Sequence, residues 1–266
     1  MSNRYQDITL LFNESKQRVV IASGQAVVLH GLAIMSKDCD WILREDIESF
    51  DFILKKLSDM GATYRFGAPL DLAWHRQGWS SHFEIKESKL RLRLDFFSRP
   101  PRLSNQDLAE LWSSLSNNNR MPYIDKKLLI KQKLTDRLKD YAVIGEIARS
   151  MHDPVSQLQY SQSADDILRI INLDKSLLSK LTELRPLMLD IDFNSDQVEL
   201  DVRIAIEKER YKLMKENLAR IENYRSASLI WADRWREINK ELVELPLIKA
   251  HEILVEQANK YLPKVV

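Results

Sequence analysis

The sequence predicts an α+β protein, with a mixed β-sheet flanked by helices in residues 1–153 and an all-helical domain in residues 154–266. Two observations support this prediction. Up to about Ser150 the chain alternates apolar, strand-like runs with turns, whereas beyond it glycine is absent and leucine, isoleucine and charged residues recur at helical spacing. We place the boundary at Asp153-Pro154, because the residue before a proline disfavours a continuing helix.

The elements of residues 1–153 follow from two periodicities. Spacing of three and four residues predicts helices over 5–15, 25–32, 46–59, 105–115 and 126–149, the last broken near Thr135. Apolar runs and alternation predict strands over 18–22, 38–43, 62–66, 82–85 and 89–97. The last two strands are expected to form a hairpin around residues 86–88.

In residues 154–266 the apolar spacing predicts a bundle of four or five helices. They are expected over 164–171, 175–184, 197–224, 229–242 and 247–261. Trp231, Trp235 and Ile238 should form one apolar stripe.

Bulk composition excludes several classes of protein. Lys and Arg number 40 against 39 Asp and Glu, so the net charge of +1 favours neither nucleic acid nor an anionic membrane as a general partner. The single cysteine, Cys39, excludes an internal disulfide and a multi-cysteine zinc site. No signal peptide or membrane-spanning run is expected, and no membrane partner, so the sequence predicts a soluble cytoplasmic protein.

Three aspartates form the most informative pattern of the chain. Asp38 and Asp40 lie one residue apart in a predicted strand, so their side chains share a face of the sheet. Asp95 belongs to a second strand, in which leucines alternate with charged residues. If the two strands are neighbours, the three carboxylates can hold Mg²⁺, a cation that prefers oxygen ligands. The alternative is a solvated polar sheet face.

A turn before the first aspartates suggests a phosphate site. Ser23-Gly24 lies between a predicted strand and a predicted helix, and a helix N-terminus presents free N–H groups and a positive dipole end. Ser23 is tolerable there if it keeps a negative φ.

These motifs together resemble the polymerase β-type nucleotidyltransferase superfamily, and in particular its small bacterial AbiEii-like toxin branch. The Ser23-Gly24 turn, Asp38-Cys39-Asp40 and Asp95 look like three motifs of that family, in order. A fourth similarity is a helical segment with Lys131, followed by Arg-x-Lys-Asp at 137–140. The resemblance covers about residues 19–149. It implies a nucleotidyltransferase-type sheet in this part of the chain.

The resemblance also implies an activity. A nucleoside monophosphate would pass from a nucleoside triphosphate to an acceptor hydroxyl of RNA, a protein or a small molecule, with Mg²⁺ or Mn²⁺ as cofactor. Asp38 and Asp40 would be shared metal ligands, and Asp95 would bind the metal near the attacking hydroxyl and take its proton. A toxin–antitoxin or phage-defence setting, with an antitoxin protein as partner, is implied as well.

The remaining roles concern the triphosphate. Ser23 and Gly24 would cradle its β- and γ-phosphates, and Lys131 would neutralise part of its charge. Lys131 has an equally simple alternative, a solvated helix face. Lys89, Arg91 and Arg93 share the face of Asp95 and would guide a polyanionic acceptor; their alternative is an exposed sheet face.

Two departures from the family pattern leave a second function open. The turn has Ser23 in place of a first glycine, and Ile34 stands where the family branch often has an arginine. The alternative is a catalytically silent protein of the same fold that binds a nucleotide or a partner as a sensor.

Overall fold

The computed structural model describes residues 3–87, 90–115 and 120–264. The chain forms two compact units, one of Met1–Leu129 with Glu222–Val266 and the other of Ile130–Ile221. The first unit contains the mixed sheet and its flanking helices, and the second is helical. The predicted α+β class is confirmed.

The sheet of the first unit has five strands, in the order β1-β2-β5-β4-β3. Their bounds are β1 (Val19–Ala22), β2 (Cys39–Leu43), β3 (Thr63–Gly67), β4 (Ser80–Glu87) and β5 (Leu90–Phe97). The β2–β5 pair is parallel, and the other three neighbouring pairs are antiparallel. The strand β5 therefore lies at the centre of the sheet, beside β2.

Helices flank this sheet. Those that lie wholly in the first unit are α1 (Arg4–Phe12), α2 (Ser23–Leu29), α3 (Ile47–Asp59), α4 (Leu72–His75), α5 (Asn105–Ser114) and α12 (Leu247–Tyr261). Helix α3 begins where the Asp46 carboxylate accepts a 2.8 Å hydrogen bond from the Ser49 amide, which satisfies one free N–H of its first turn.

Aromatic packing builds the core on one face of the sheet. Trp41 of β2 is fully buried and stacks on Phe96 of β5, with ring centroids 5.3 Å apart. Phe12 of α1 contacts both rings, and the Trp41 indole donates a 2.9 Å hydrogen bond to Thr9 Oγ1. Because side chains alternate along a strand, the residues directly before and after Trp41 in β2, and before and after Phe96 in β5, point to the other face of the sheet.

The end of the chain completes the first unit. Trp231 is buried and donates a 3.1 Å hydrogen bond to the Gly67 carbonyl, and Trp235 packs edge-on against Phe66. Trp231, Trp235 and Ile238, expected as one apolar stripe, are all buried. Residues 222–264 thus belong with the sheet.

The second unit is built from helices around its own core. They are α6 (Lys126–Lys133), which begins in the first unit, α7 (Leu138–Arg149), α8 (Pro154–Tyr160), α9 (Ala164–Leu173), α10 (Leu178–Leu184) and α11 (Val198–Leu242). Leu158, Ile167, Leu181, Met188 and Val202 are fully buried in one cluster. In the described ranges no strand follows residue 160.

The compact units do not follow the boundary expected after residue 153. Along the chain, the first unit ends at Leu129 and the second begins at Ile130; within α11 the chain returns to the first unit after Ile221. Folding of 1–153 and 154–266 as separate domains stays a prediction.

One helix differs from the sequence prediction. The helices expected over 197–224 and 229–242 are a single helix, α11, of 45 residues. The intervening residues 225–228 include neither glycine nor proline, and the Ser228 hydroxyl donates to the Arg225 carbonyl within the helix at 3.1 Å. Across the described ranges, no helix has the length and apolarity to span a membrane.

Candidate functional site

Strand register brings two of the three predicted aspartates together. Asp40 of β2 and Asp95 of β5 are direct partners in the parallel pair, and partners in neighbouring strands lie about 5 Å apart with side chains on one face. The shared face is the one opposite Trp41 and Phe96. Asp38 precedes β2 by one residue and is half-buried, as is Asp40. The expectation that the two strands are neighbours is confirmed.

The glycine turn lies against the segment that leads into β2. A Cβ atom placed on Gly24 would lie 2.4 Å from Ser36 Oγ, so only glycine fits without moving that side chain. The Ser36 hydroxyl in turn donates a 3.3 Å hydrogen bond to the Asp38 carboxylate. The turn and the first aspartate are therefore connected through Ser36.

Ser23 has a φ of +47°, in the left-handed region. The condition that this residue keeps a negative φ is not met. A non-glycine residue in this region costs about 1–2 kcal/mol. The turn thus has the backbone shape that favours glycine, with a serine in place.

An arginine and a histidine contact the Asp95 carboxylate. Arg65 Nη2 donates to Asp95 Oδ1 at 2.8 Å, and His82 Nδ1 lies 2.8 Å from the same oxygen without hydrogen-bond geometry. His82 is the cross-strand partner of Asp95 in β4, and its Nε2 contacts Ser80 Oγ at 2.9 Å. Asp95 is therefore held in place by contacts from two other strands.

These contacts determine the protonation of Asp95. Burial alone would raise the pKa of this carboxyl, but His82 and Arg65 outweigh burial and lower the pKa below its ordinary value. A lowered folded-state pKa stabilises the fold above the ordinary carboxyl pKa, and this contribution is lost as the pH falls through the lowered value.

The donor set suits a hard cation, but the side chains are not gathered around one point. In residues 3–87, 90–115 and 120–264, no group of three or more His, Cys, Asp or Glu side chains is arranged to hold a metal ion. Arg65 supplies positive charge beside Asp95, where a metal would otherwise supply it. Arg65 and His82 both contact Asp95 Oδ1, so a metal that binds through this oxygen would displace the Arg65 contact.

Cys39 lies between the first two aspartates and faces the core. It is fully buried, and burial, reinforced by the nearby carboxylates of Asp40, Asp38 and Asp95, raises the pKa of its thiol well above the ordinary value. The thiol therefore stays protonated and acts as a small apolar group.

The Tyr5 hydroxyl connects the two strands that carry the aspartates. It donates to the Lys37 carbonyl at 2.9 Å and accepts from the Arg93 amide at 3.4 Å. Lys37 precedes Asp38, and Arg93 precedes Asp95 by two residues. Tyr5 thus holds the two strands together just before their aspartates, and nothing in the sequence pattern of α1 indicated this contact.

We expect Tyr5→Phe to lower the free energy of unfolding by about 1–2 kcal/mol, because the Lys37 carbonyl and the Arg93 amide lose a buried partner. Denaturant titration measures this change. Tyr123→Phe is the matched control, because Tyr123 is exposed. An equal effect of the two substitutions would contradict a structural role for the Tyr5 hydroxyl.

Part of the segment expected to contact the triphosphate is instead engaged in contacts within the segment itself. In the first turn of α7, buried Asp140 accepts a 2.6 Å hydrogen bond from Thr135 Oγ1 and forms ion pairs with Arg137 and Lys133. The Arg137–Asp140 pair is therefore local. Lys131 belongs to the second unit, and its role toward a triphosphate stays a prediction.

Basic residues share the sheet face with Asp95. Arg91 and Arg93 are exposed, and Arg91 lies directly opposite Lys86 of β4. Lys89, expected in the same row, lies outside the described residues.

Comparison with known proteins gives a limited result. No protein-family model matches the chain, and no curated protein matches it. Among solved structures, the chain is similar to a protein from H. pylori described provisionally as a nucleotidyltransferase, with 14% identity and a TM-score of 0.38 over 80% of this chain and 95% of that chain. It is also similar to JHP933 from Helicobacter pylori, with 14% identity and a TM-score of 0.37 over 83% of this chain and 96% of that one. At such TM-scores the likeness carries no argument about the site.

Proposed function

We propose that the protein is a metal-dependent nucleotidyltransferase that moves a nucleoside monophosphate from a nucleoside triphosphate to an acceptor hydroxyl. One observation carries the proposal: the parallel β2–β5 register places Asp40 opposite Asp95, next to Asp38 and the Gly24 turn. The motif order in the sequence supports the same activity. Acceptor identity, among RNA, a protein and a small molecule, and a toxin or phage-defence role with an antitoxin partner, rest on the resemblance alone.

In the proposed reaction the acceptor hydroxyl attacks the α-phosphorus in line, and pyrophosphate leaves. Divalent ions held by Asp38, Asp40 and Asp95 would supply positive charge to the attacking and leaving oxygens. The lowered pKa of Asp95 keeps its carboxylate ionised, as a metal ligand must be. We therefore assign Asp95 the role of ligand and leave the hydroxyl proton to solvent or substrate oxygens.

A second candidate is a catalytically silent protein of the same fold that binds a nucleotide. The observation that favours it is the Arg65–Asp95 ion pair, because a permanent cation on the third carboxylate can replace a metal ion structurally. The left-handed Ser23 in the phosphate turn points the same way.

Binding synergy tests both candidates. A chelated metal would connect the triphosphate to Asp38 and Asp40, so a nucleoside triphosphate with Mg²⁺ or Mn²⁺ should stabilise the protein more than either alone. At a ligand concentration of about 100 times Kd the gain is about 2.7 kcal/mol. We expect Asp40→Asn to abolish the synergy in a thermal-shift assay. Asp59→Asn, at an exposed position at the end of α3, is the control.

Group transfer separates the two candidates. The protein is incubated with each α-labelled triphosphate and a mixture of cellular RNA, protein and small metabolites, and label is followed into each fraction. Transfer that depends on Asp40 supports the enzyme. Synergy without any transfer, or stabilisation by a triphosphate without metal, favours the silent alternative, and a folded protein that no triphosphate stabilises contradicts both.

A further inference from the structure

Helix α11 carries two apolar stripes within the second unit. The inner stripe, which includes Val202, Ala205 and Ile206, is buried in the core of that unit. A second stripe lies on the opposite side of the helix; most of its residues are exposed to solvent, and Met214 and Ile221 are half-buried. A helix at the surface of a globular unit ordinarily needs one apolar stripe, which packs on the core. Packing within the second unit therefore does not account for the second stripe.

The exposed stripe has a heptad pattern. Its positions alternate at spacings of four and three residues, six of the seven are apolar, and Glu207 is the exception. We call this set the outer stripe; its members are Leu200, Ile204, Glu207, Tyr211, Met214, Leu218 and Ile221. Tyr211 is 70% exposed and Leu218 is 54% exposed. A seven-residue apolar repeat of this kind is typical of a helix that packs along another helix.

Lysines border the outer stripe on one side. Lys208, Lys212 and Lys215 are exposed, and in the part of the chain that the structure describes none of them has an ion-pair partner. By helical geometry these positions follow one edge of the stripe over two turns. The border is therefore an uncompensated row of positive charge beside an apolar surface.

This charge pattern argues against a second copy of the chain as the occupant. In a parallel pair of α11 helices, Arg203 of one copy would face Lys208 of the other, and Arg210 would face Lys215. In an antiparallel pair, Lys208 would face Lys215. Like charges meet in both arrangements, which disfavours self-association.

We propose that the outer stripe of α11 binds an acidic amphipathic helix of a partner protein. The partner's apolar residues would cover the exposed heptad positions, and its glutamates or aspartates would face Lys208, Lys212 and Lys215. Charge complementarity at the border gives specificity and faster association, and the apolar contact gives affinity. This inference is independent of the proposed nucleotidyl transfer.

Designed peptides test the charge preference on the full-length protein. The probe is a fluorescent helix of about 28 residues, four heptads, with leucine or isoleucine at the apolar positions and glutamate at both borders. Its matched control has lysine at both borders. By fluorescence anisotropy we expect the acidic peptide to bind at least about tenfold more tightly than the basic one, with a preference that weakens as salt rises from about 50 to about 500 mM.

Variants of the protein locate the binding surface. Tyr211→Glu with Leu218→Glu should weaken acidic-peptide binding at least about tenfold, and both positions are exposed enough to leave the thermal melting curve unchanged. Leu173→Glu, at a 79% exposed position of α9, is the control and should bind like the wild type. Changing Lys208, Lys212 and Lys215 to glutamate should reverse the preference in favour of the basic peptide.

Three results would overturn the proposal. The first is equal or absent binding of the two peptides. The second is a dimer in light scattering that Leu218→Glu dissociates, because the occupant would then be a second copy. The third is binding to vesicles of phosphatidylglycerol and phosphatidylcholine in preference to the acidic peptide, because the stripe would then be a membrane-surface helix.

Discussion

Asp95→Ala is expected to reduce nucleotidyl transfer by about 100- to 1000-fold, while most of the binding of the metal–triphosphate complex remains. The reason is positional: Asp95 comes from β5, whereas Asp38 and Asp40 come from the segment beside the Gly24 turn. In the proposed reaction, losing the ligand for the ion at the attacking hydroxyl would remove several kcal/mol of transition-state stabilisation, and each 1.36 kcal/mol is a factor of ten. Single-turnover transfer measures the chemical step, and thermal shift measures binding.

Arg65→Gln is the companion variant for this experiment. It removes the cation from Asp95 Oδ1 but keeps a hydrogen-bonding side chain in β3. If Arg65 competes with the metal for Asp95, this variant should keep transfer activity and need less Mg²⁺ for half-maximal rate. Full activity of Asp95→Ala would contradict the assigned role of Asp95, and loss of activity in Arg65→Gln would make the arginine part of the site.

Trp41→Ala is expected to lower the free energy of unfolding of the sheet-containing unit by about 3–5 kcal/mol, because a fully buried tryptophan leaves a large cavity. The substitution also removes the stack on Phe96 and the hydrogen bond to Thr9. Urea denaturation followed by circular dichroism measures the change.

Trp112→Ala is the control for Trp41. Trp112 lies on α5, is only partly buried and receives the Arg44 guanidinium 4.4 Å from its ring centroid. Its loss should cost about 0.5–2 kcal/mol, since one cation–π contact and partial burial are removed. Equal costs for the two tryptophans would mean that the aromatic stack does not support the strands of the site.

The sequence was sufficient for the carboxylate strands. In β5, alternation of leucines with charged residues predicts both the strand and the face of Asp95. The predicted strand over 38–43 corresponds to β2, which begins one residue later and contains Asp40 but not Asp38. That the two strands are neighbours in the sheet could not be predicted, because the pairing of strands distant in sequence leaves no local signal. The structure supplies the pairing, with Asp40 opposite Asp95.

The partners of Asp95 were beyond sequence reasoning for a physical reason. Arg65 lies where the β3–β4 register shifts between Tyr64 and Phe66, and such an irregularity redirects a side chain out of simple alternation. His82 contacts Asp95 through cross-strand register alone. Neither position is marked by a spacing pattern in the sequence. The contacts of Arg65 and His82 with Asp95 could therefore not be predicted.

Other differences have local causes. In α11, serine and alanine at 226–228 resemble a connection, but burial of Trp231 and Ser228 keeps this part of the helix packed on the sheet-containing unit. At Ser23, the strand-to-helix turn requires a left-handed residue, and the side chain reveals nothing of that requirement.

The central place of β5 has a consequence for biosynthesis. A nascent chain that has emerged only as far as β4 already contains Asp38 and Asp40, but the edge of β2 that β5 will occupy is still open. Between β2 and β5 the chain forms α3, β3, α4 and β4, so closing this pair joins distant segments and is a slow type of folding event. A chain that ends before β5 therefore lacks Asp95, and the pair Asp40 and Asp95 exists only in molecules in which β5 has joined β2.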